Sequence, residues 1–474
     1  MPLTSDARQL ARDLTFWPAL FMVIGSVIGV NIFIKPAVMA QVLPSAPLLL
    51  TIWVLAGLVS LAGALLYAEL GVALPQTGGE YVYLREAFGE TVGFLYVWMT
   101  ILIRASLNVA IFALAIGAFL GSLVPLGGPV VDRTIGVAGG IHVQFGWREI
   151  AGLAVVAVLA AINCAGVRAG GVSQTILTVM KLGSIVMLIA GALHSPGAPV
   201  AAANAPVLIK GSSLAPVLLA ALLTYNGWNW ITLAAGEVRD PARNIPRALV
   251  AGMVTVIAVY CLLNWSYLHT LGVGQMAISS SSRFPAAPTV GARAAEAIFG
   301  AWGVRALSVL FLVSAMGVTN AFLLSSSRVP YVLACDGLFF AYFARLNRRN
   351  VPARAILCGL GAGSLLIAFA GYDRITDVLT FAVWIFFTFT ALAVIVLRRR
   401  APDLPRPYRS PLYPLLPIAV ATFGFTLVVL TLWNAPVQSG LAVLLILMGI
   451  PAFLFFRRAK SRQPAAVKAS SRTA

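Results

Sequence analysis

Twelve long apolar runs separated by short polar segments dominate the sequence. Each run is long enough to cross a hydrocarbon core about 30 Å thick, which takes about 20 mostly apolar residues as a helix. The pattern predicts an all-α polytopic membrane protein with twelve transmembrane helices, near residues 16–42, 46–74, 87–124, 148–167, 172–194, 213–236, 246–270, 301–326, 354–371, 375–397, 412–433 and 438–456.

Two of these runs are interrupted by residues that disfavour a helix. The first run carries two glycines, a serine and an asparagine between Gly25 and Asn31, and a glycine costs a helix interior about 1 kcal/mol relative to alanine. The helix from Phe16 to Gly25 rises about 15 Å, so this interruption falls near the membrane midplane. A second interruption lies at 224–229 in the sixth run. Interrupted helices at matching places in two halves of a chain are typical of the binding site of a secondary transporter.

The two interrupted runs divide the chain into two halves. The sixth run starts five spans after the first, and this odd number reverses the direction of the second half through the membrane. The sequence therefore predicts a five-plus-five inverted repeat with discontinuous helices 1 and 6 and two extra C-terminal helices. We predict a cytoplasmic N-terminal tail at 1–15, a ten-helix transport core at 16–397 with repeats at about 16–194 and 213–397, helices 11 and 12 at 398–456, and a basic disordered cytoplasmic tail at 457–474.

Composition excludes a soluble protein, and the distribution of charge predicts the orientation. The chain has 474 residues, 60% of them hydrophobic and 10% charged, with a mean hydropathy of +0.93 and a net charge of +18. The basic residues lie in short segments between apolar runs, which argues against nucleic acid as a partner. With the amino terminus inside, 23 of the 33 Lys and Arg residues fall in inner segments and 8 in outer ones. The positive-inside rule predicts a multi-pass protein of the cell membrane with both termini in the cytoplasm.

The two interruptions offer opposite partial charges at the same depth of the membrane. The second piece of helix 1 begins near Gly29 to Ile32, so its free N–H groups and positive dipole end suit a carboxylate. The first piece of helix 6 ends near Leu222 to Tyr225, where free carbonyls suit an ammonium group. Together they fit the backbone of a zwitterionic amino acid. The neighbouring aromatic residues Tyr225 and Trp228 are candidates to line the pocket.

Other classes of function lack their characteristic residues. The four cysteines have no metal-ligand spacing, and the apolar runs contain no serine elbow, His-rich cluster or carboxylate pair. An ion channel would need a carbonyl filter or a ring of like charges, and a polyamine carrier would need Asp or Glu in the interruptions, which contain neither. We therefore expect a secondary active amino acid transporter rather than an enzyme, with no cofactor and no metal. An amine or polyamine transporter of the same fold and an ion channel remain the alternatives.

Several sequence blocks carry a resemblance to a known family: GSVIGVNIF at 25–33, YAEL at 67–70, PQTGGEYVY at 75–83, YNGWN at 225–229, EV at 237–238, PARNIP at 241–246 and RPYR at 406–409. Together they resemble the amino acid–polyamine–organocation (APC) superfamily, and in particular its L-type amino acid transporter branch, from about residue 14 to 433. The resemblance implies an amino acid permease or exchanger with twelve helices in the five-plus-five inverted-repeat fold, working by alternating access.

The resemblance also implies which residues bind the substrate. By position, its carboxylate-binding turn falls on Ile28, Gly29, Val30, Asn31 and Ile32, and its amino-group carbonyls on Val27, Leu223 and Asn226, with Gly227 and Trp228 close by. Some positions depart from the family. Val30 and Asn31 stand where Ser or Ala and then Gly are usual, Leu223 replaces a gating aromatic, and Asn226 replaces a glycine. We expect the two asparagines to shrink the pocket and favour small or polar substrates.

Two basic residues lie inside apolar runs, where a charge costs at least about 2.5–3.5 kcal/mol on insertion scales unless it is paired or hydrated. Some relatives carry a lysine at the place of Lys181 that substitutes for a sodium ion. The resemblance thus implies proton coupling or bracing of helix 1, with a side chain reaching the inner interface as the alternative. Arg104 is expected to bond to helix-end carbonyls, with a substrate contact as the alternative.

Three further charges lie near the ends of apolar runs. Glu69 and Glu237 fall at the inner ends of the second and sixth runs, where we expect interfacial charges, with inner-gate salt bridges as the alternative. Lys35 follows the first interruption, and we expect it to point outward at the interface rather than to attract anionic substrate.

The partners expected from the sequence are an amino acid substrate and the lipid bilayer. Proton symport and substrate exchange are both open. The resemblance also leaves a single-span partner subunit open, although bacterial relatives usually act alone.

Overall fold

A computed structural model describes residues 14–135, 141–165, 167–197, 214–281, 283–284, 287–349, 351–367 and 372–462. Nearly all of its regular structure is helical. The elements in chain order are α1 Phe16–Val27, α2 Asn31–Val42, α3 Ala46–Ala73, α4 Glu80–Phe88, α5 Glu90–Met99, a π-helical turn Thr100–Ala105, α6 Ser106–Leu123, β1 Pro129–Ile135, β2 Ile141–Gly146, α7 Trp147–Ala165, α8 Val167–Leu193, α9 Ala215–Thr224, α10 Trp230–Leu233, a 3₁₀ turn Ala235–Glu237, α11 Pro241–Ala277, α12 Val290–Ser326, α13 Arg328–Cys335, a 3₁₀ turn Ala341–Ala344, α14 Ala353–Leu366, α15 Tyr372–Arg400, α16 Leu415–Asn434, α17 Pro436–Leu447 and α18 Gly449–Arg462.

The helices form a polytopic membrane bundle, as predicted. Within the described ranges, nine helices are long and apolar enough to cross a membrane, or ten if the bent pair α1 and α2 is one span. Two other predicted spans correspond to shorter helices: 213–236 contains α9 and α10, and 354–371 overlaps the 14-residue α14, which begins one residue earlier. The total of twelve spans stays a prediction.

Some elements were not predicted from the hydropathy pattern. Strands β1 and β2 pair antiparallel in the segment after α6, with Ile135 opposite Ile141. The short helices α4 and α13 lie in segments read as loops, and α18 continues to Arg462, past the predicted boundary at 456. Residues 1–13 and 463–474, which hold most of the two predicted tails, lie outside the described residues.

The two interrupted spans run in opposite directions. Leu14, just before α1, forms a parallel bridge with Val238, just after α10. The N–H of Arg239 donates to the carbonyl of Leu14 at 2.8 Å. The start of the first span therefore lies beside the end of the sixth, as an inverted repeat requires.

Candidate substrate site

The first interruption is a short unwound segment between α1 and α2. Helix α1 ends at Val27, and Ile28 is extended, with φ −70° and ψ 96°. Helix α2 begins at Asn31. The residue before it, Val30, makes no side-chain hydrogen bond to the first turn. The axes of the two helices differ by 40°. The segment thus places the N-terminal end of one helix beside the C-terminal end of another, as the sequence predicts.

The second interruption is a turn at 225–229 between α9 and α10, and it contacts the first directly. Gly227 has φ +121°, and a Cβ atom there would lie 2.5 Å from the backbone oxygen of Ser26. Only glycine fits both the conformation and the close approach. The hydroxyl of Ser26 donates to the carbonyl of Gly227 at 3.0 Å. The two breaks are therefore in direct contact with each other.

Tyr260 of α11 bridges the two breaks, a role that the sequence analysis missed. Its hydroxyl lies 2.8 Å from the carbonyl oxygen of Val27 and 3.0 Å from that of Thr224. These carbonyls belong to the C-terminal ends of α1 and α9. Because the hydroxyl carries one hydrogen, it donates to one of the two at a time. A tyrosine in the middle of an apolar run was the available signal, since a buried hydroxyl needs a partner.

Lys181 of α8 contacts the last turn of α1 and the unwound segment that follows it. Its ammonium group donates to the carbonyl of Gly25 at 2.9 Å and to that of Ile28 at 2.7 Å. The side chain is fully buried, so the alternative of a lysine reaching the inner interface is wrong. The two carbonyls have no helical N–H partner at the end of α1, and the ammonium group supplies one.

Most of the predicted binding residues are closed off from solvent. Nine of the eleven are buried, whereas Asn31 and Asn226 are partly exposed. The side-chain oxygen of Asn226 is itself buried and has no hydrogen-bond partner in the described part of the chain. The two asparagines are thus the most exposed of the predicted binding residues.

The aromatic residues of the second break pack against neighbouring helices. The Trp228 ring lies 4.8 Å from Tyr67 of α3 and 5.3 Å from Phe387 of α15, measured between centroids. The Tyr225 hydroxyl donates to the carbonyl of Trp53 of α3 at 3.0 Å. In this closed arrangement both side chains anchor the break to the rest of the bundle.

A buried carboxylate beneath the second break joins several helices, and the sequence analysis missed it. Glu80, at the start of α4, is fully buried. It accepts hydrogen bonds from the hydroxyl of Tyr67 at 2.6 Å, from the hydroxyl of Tyr96 and from the side-chain amide of Asn229 at 3.0 Å. Arg104 of the π-helical turn completes this Glu80 cluster, with Nη1 3.4 Å from a carboxylate oxygen. A buried carboxylate requires such a set of donors.

Three charged residues, Arg104, Glu69 and Lys35, lie in environments that differ from the expected ones. Arg104 was expected to bond to helix-end carbonyls, but its Nη1 faces the Glu80 carboxylate and the Tyr96 hydroxyl. Glu69 was expected at the interface, but it is 1% exposed. Its carboxylate accepts two 2.7 Å hydrogen bonds from Arg398 of α15 and one from the N–H of Ser410. For Glu237, the backbone lies in a 3₁₀ turn and the side chain is outside the described structure.

Lys35 of α2 is also in an environment other than the expected one. It was expected to point outward at the interface, but it is 1% exposed and donates to the hydroxyl of Thr376 of α15 at 2.8 Å. A fully buried ammonium group needs hydrogen-bond acceptors. The contact ties α2, the second piece of the first span, to the tenth predicted span.

A further polar contact joins α4 to the end of α13. The Tyr81 hydroxyl donates to the Asp336 carboxylate at 2.5 Å, and Arg85 pairs with the same oxygen at 2.7 Å. Burial and the negative charge of Asp336 raise the pKa of Tyr81 well above its ordinary value. The hydroxyl therefore stays protonated and able to donate.

Comparison with known proteins assigns the family. The sequence model of the amino acid permease family matches residues 14–451. The chain is 28% identical to the serine/threonine exchanger SteT of Bacillus subtilis (strain 168), over 96% of this chain and 99% of that protein. It is 28% identical to the human cystine/glutamate transporter, over 96% and 87% of the two chains. It is 29% identical to the human large neutral amino acids transporter small subunit 2, over 94% and 80%. The chain therefore belongs to the amino acid permease family.

Proposed function

We propose that the chain is a secondary active transporter that carries amino acids across the cytoplasmic membrane by alternating access, with both termini in the cytoplasm. The observation that carries the proposal is the contact between the two breaks. It brings the N-terminal end of α2 and the C-terminal end of α9 to one place. A zwitterionic amino acid carries the two charges that these helix ends attract.

The substrate carboxylate would bind at the start of α2, along Ile28 to Ile32. The ammonium group would bind the carbonyls of Val27, Leu223 and Asn226. In this structure the Tyr260 hydroxyl contacts one of these carbonyls, that of Val27. The substrate ammonium would displace the hydroxyl, so that the carbonyl would have a donor with and without substrate.

Lys181 would keep the first break in place during transport. It contacts one carbonyl in the last turn of α1 and one in the unwound segment, and it is buried in the bundle. The same group is the candidate for proton coupling, because it is a buried titratable group in direct contact with the first break.

The substrate would be a small or polar amino acid. Asn31 and Asn226, the two partly exposed residues of the site, each present an amide. Relatives are named for serine and threonine, for cystine and glutamate, and for large neutral amino acids. The size and polarity of the residues at positions 31 and 226 would therefore determine which amino acid is bound. A double variant, Asn31→Gly with Asn226→Gly, should shift the ranking of competitors toward larger, apolar amino acids. The matched control is Asn434→Gly, at an exposed helix end. An unchanged ranking in the double variant contradicts this assignment.

The single chain would be sufficient for transport. One relative is named as a small subunit, but this chain covers 80% of that protein and 99% of the serine/threonine exchanger. The test is reconstitution of the purified chain in liposomes with a panel of labelled amino acids. Uptake is measured with and without internal amino acid, and with and without a pH gradient. Stimulation by internal amino acid identifies exchange, and stimulation by the gradient identifies proton symport. No uptake of any amino acid under any of these conditions would contradict the proposed function.

A further inference from the structure

Four buried polar groups without a hydrogen-bond partner in the described structure line one crevice. They are Oγ1 of Thr100, Nη2 of Arg104, Nε1 of Trp230 and Oγ of Ser325. Their residues are 2%, 3%, 5% and 0% exposed. The crevice is also lined by Leu233, Phe322 and Val329. Buried polar atoms nearly always have a partner in folded proteins, so four unpaired groups in one place point to a ligand or to water in another state.

The crevice lies between the two breaks and one face of the membrane. Trp230 and Leu233 belong to α10, which leads from the second break to Val238 beside Leu14. Ser325 lies at the end of α12. An amino acid that leaves the breaks toward the face where α1 begins would therefore pass these groups.

The chemistry of the four groups favours an anionic acceptor. The Arg104 and Trp230 nitrogens are donors only, and the Thr100 and Ser325 hydroxyls can donate or accept. Nη1 of Arg104 faces Glu80, which leaves Nη2 for a second acceptor. A carboxylate can accept hydrogen bonds from Arg104, Trp230 and Ser325, and guanidinium groups suit carboxylates. A cation would meet two groups that can only donate.

We propose that Arg104, Trp230 and Ser325 form a second, transient site that binds the carboxylate of the amino acid as it leaves toward this face. The inference rests on the proposed transport function. In the closed arrangement the crevice has no room for a water molecule, so the site forms when α10 moves away from α12. The three donors then gain partners, first from water and then from the substrate.

The test compares substrate affinity on the two faces of the membrane. Uptake of labelled L-serine is measured in right-side-out and inside-out vesicles, with L-leucine as the probe if wild type does not carry serine. Ser325→Ala removes only a hydroxyl, and Trp230→Phe removes the indole N–H. Each should raise KM on the face where α1 begins about tenfold, as expected for the loss of one hydrogen bond to a charged group. KM on the opposite face should stay within twofold of wild type.

Ser308→Ala is the matched control, because Ser308 is a buried serine of the same helix, about 25 Å along its axis. It should leave KM unchanged on both faces. Equal changes on both faces, or no change on either, in both site variants would overturn the proposal. If one variant fails to fold, as judged by its elution profile in detergent, the other decides. A wild-type protein that carries no amino acid would contradict the transport function instead.

Discussion

Removal of the Lys181 ammonium group should stop transport while the protein remains folded. The change is Lys181→Met, which keeps the length of the side chain and removes its charge. In the wild type the ammonium group donates to the carbonyls of Gly25 and Ile28 at 2.9 and 2.7 Å. Methionine leaves both oxygens unpaired in a buried position, and an unpaired buried acceptor costs about 1–3 kcal/mol. The first break would therefore lose about 2–6 kcal/mol of stabilisation.

This loss acts on the transport cycle more than on folding. Folding is partly compensated, because the variant no longer buries a charge. The break, in contrast, must keep its geometry in every state that binds substrate. Even the lower figure of about 2 kcal/mol, added to the barrier of the slowest step, lowers the rate about thirtyfold.

The assay is the initial rate of amino acid uptake into liposomes that contain equal amounts of purified wild type or variant. Melting in detergent is followed in parallel. Lys460→Met is the matched control, since the Lys460 side chain is 38% exposed and its ion pair with Glu90, at 3.6 Å, lies at the surface. The control should transport like wild type. An uptake rate for Lys181→Met within twofold of wild type would refute the reasoning.

Three further variants test the surrounding contacts. Glu69→Gln should destabilise the protein by about 3 kcal/mol, because the partly buried Arg398 and the buried Arg406 lose the charge of a buried carboxylate. Denaturation in detergent measures this, and Glu86→Gln, whose side chain is 44% exposed, should have no effect. Gly227→Ala should abolish uptake, since its φ of +121° and the opposing backbone oxygen at 2.5 Å exclude a Cβ atom, whereas Gly361→Ala, with open space around it, should be active. Tyr260→Phe should slow net uptake about fivefold relative to exchange, because the carrier without substrate loses one hydrogen bond worth about 1 kcal/mol. Equal slowing of net uptake and exchange would contradict the displacement of the Tyr260 hydroxyl by the substrate.

The breaks could be predicted from the sequence because their signals are local. Glycine and polar residues within an apolar run disfavour a continuous helix whatever surrounds them. Helix α1 ends at Val27 and α2 begins at Asn31, inside the predicted interruption. The turn at 225–229 likewise falls on the second one.

The partners of the buried charges could not be predicted in the same way. Hydropathy gives the depth of a residue along its own helix but does not identify the helix that packs beside it. Glu69 meets Arg398, and Lys35 meets Thr376, in each case more than three hundred residues away in the chain. Arg104 meets Glu80, on a short helix that the hydropathy pattern does not show. Interfacial positions were therefore the reasonable expectation for Glu69 and Lys35, and helix-end carbonyls for Arg104, but pairing with distant helices replaced them.

The positions of these pairs suggest how the two faces can open separately. On one side of the breaks, Lys35 of α2 is tied to Thr376 of α15; on the other, Asn229 at the start of α10 is tied to Glu80. Each contact is a hydrogen bond to a charged group, worth about 1.5–3 kcal/mol. Under the proposed alternating access, opening one face would break the contact on that side and leave the other intact, and Lys181 would still hold the first break from the neighbouring α8. With a cost of this size, the free energies of the open and closed states differ by only a few kcal/mol. Substrate binding that supplies a similar free energy would therefore shift the populations between them.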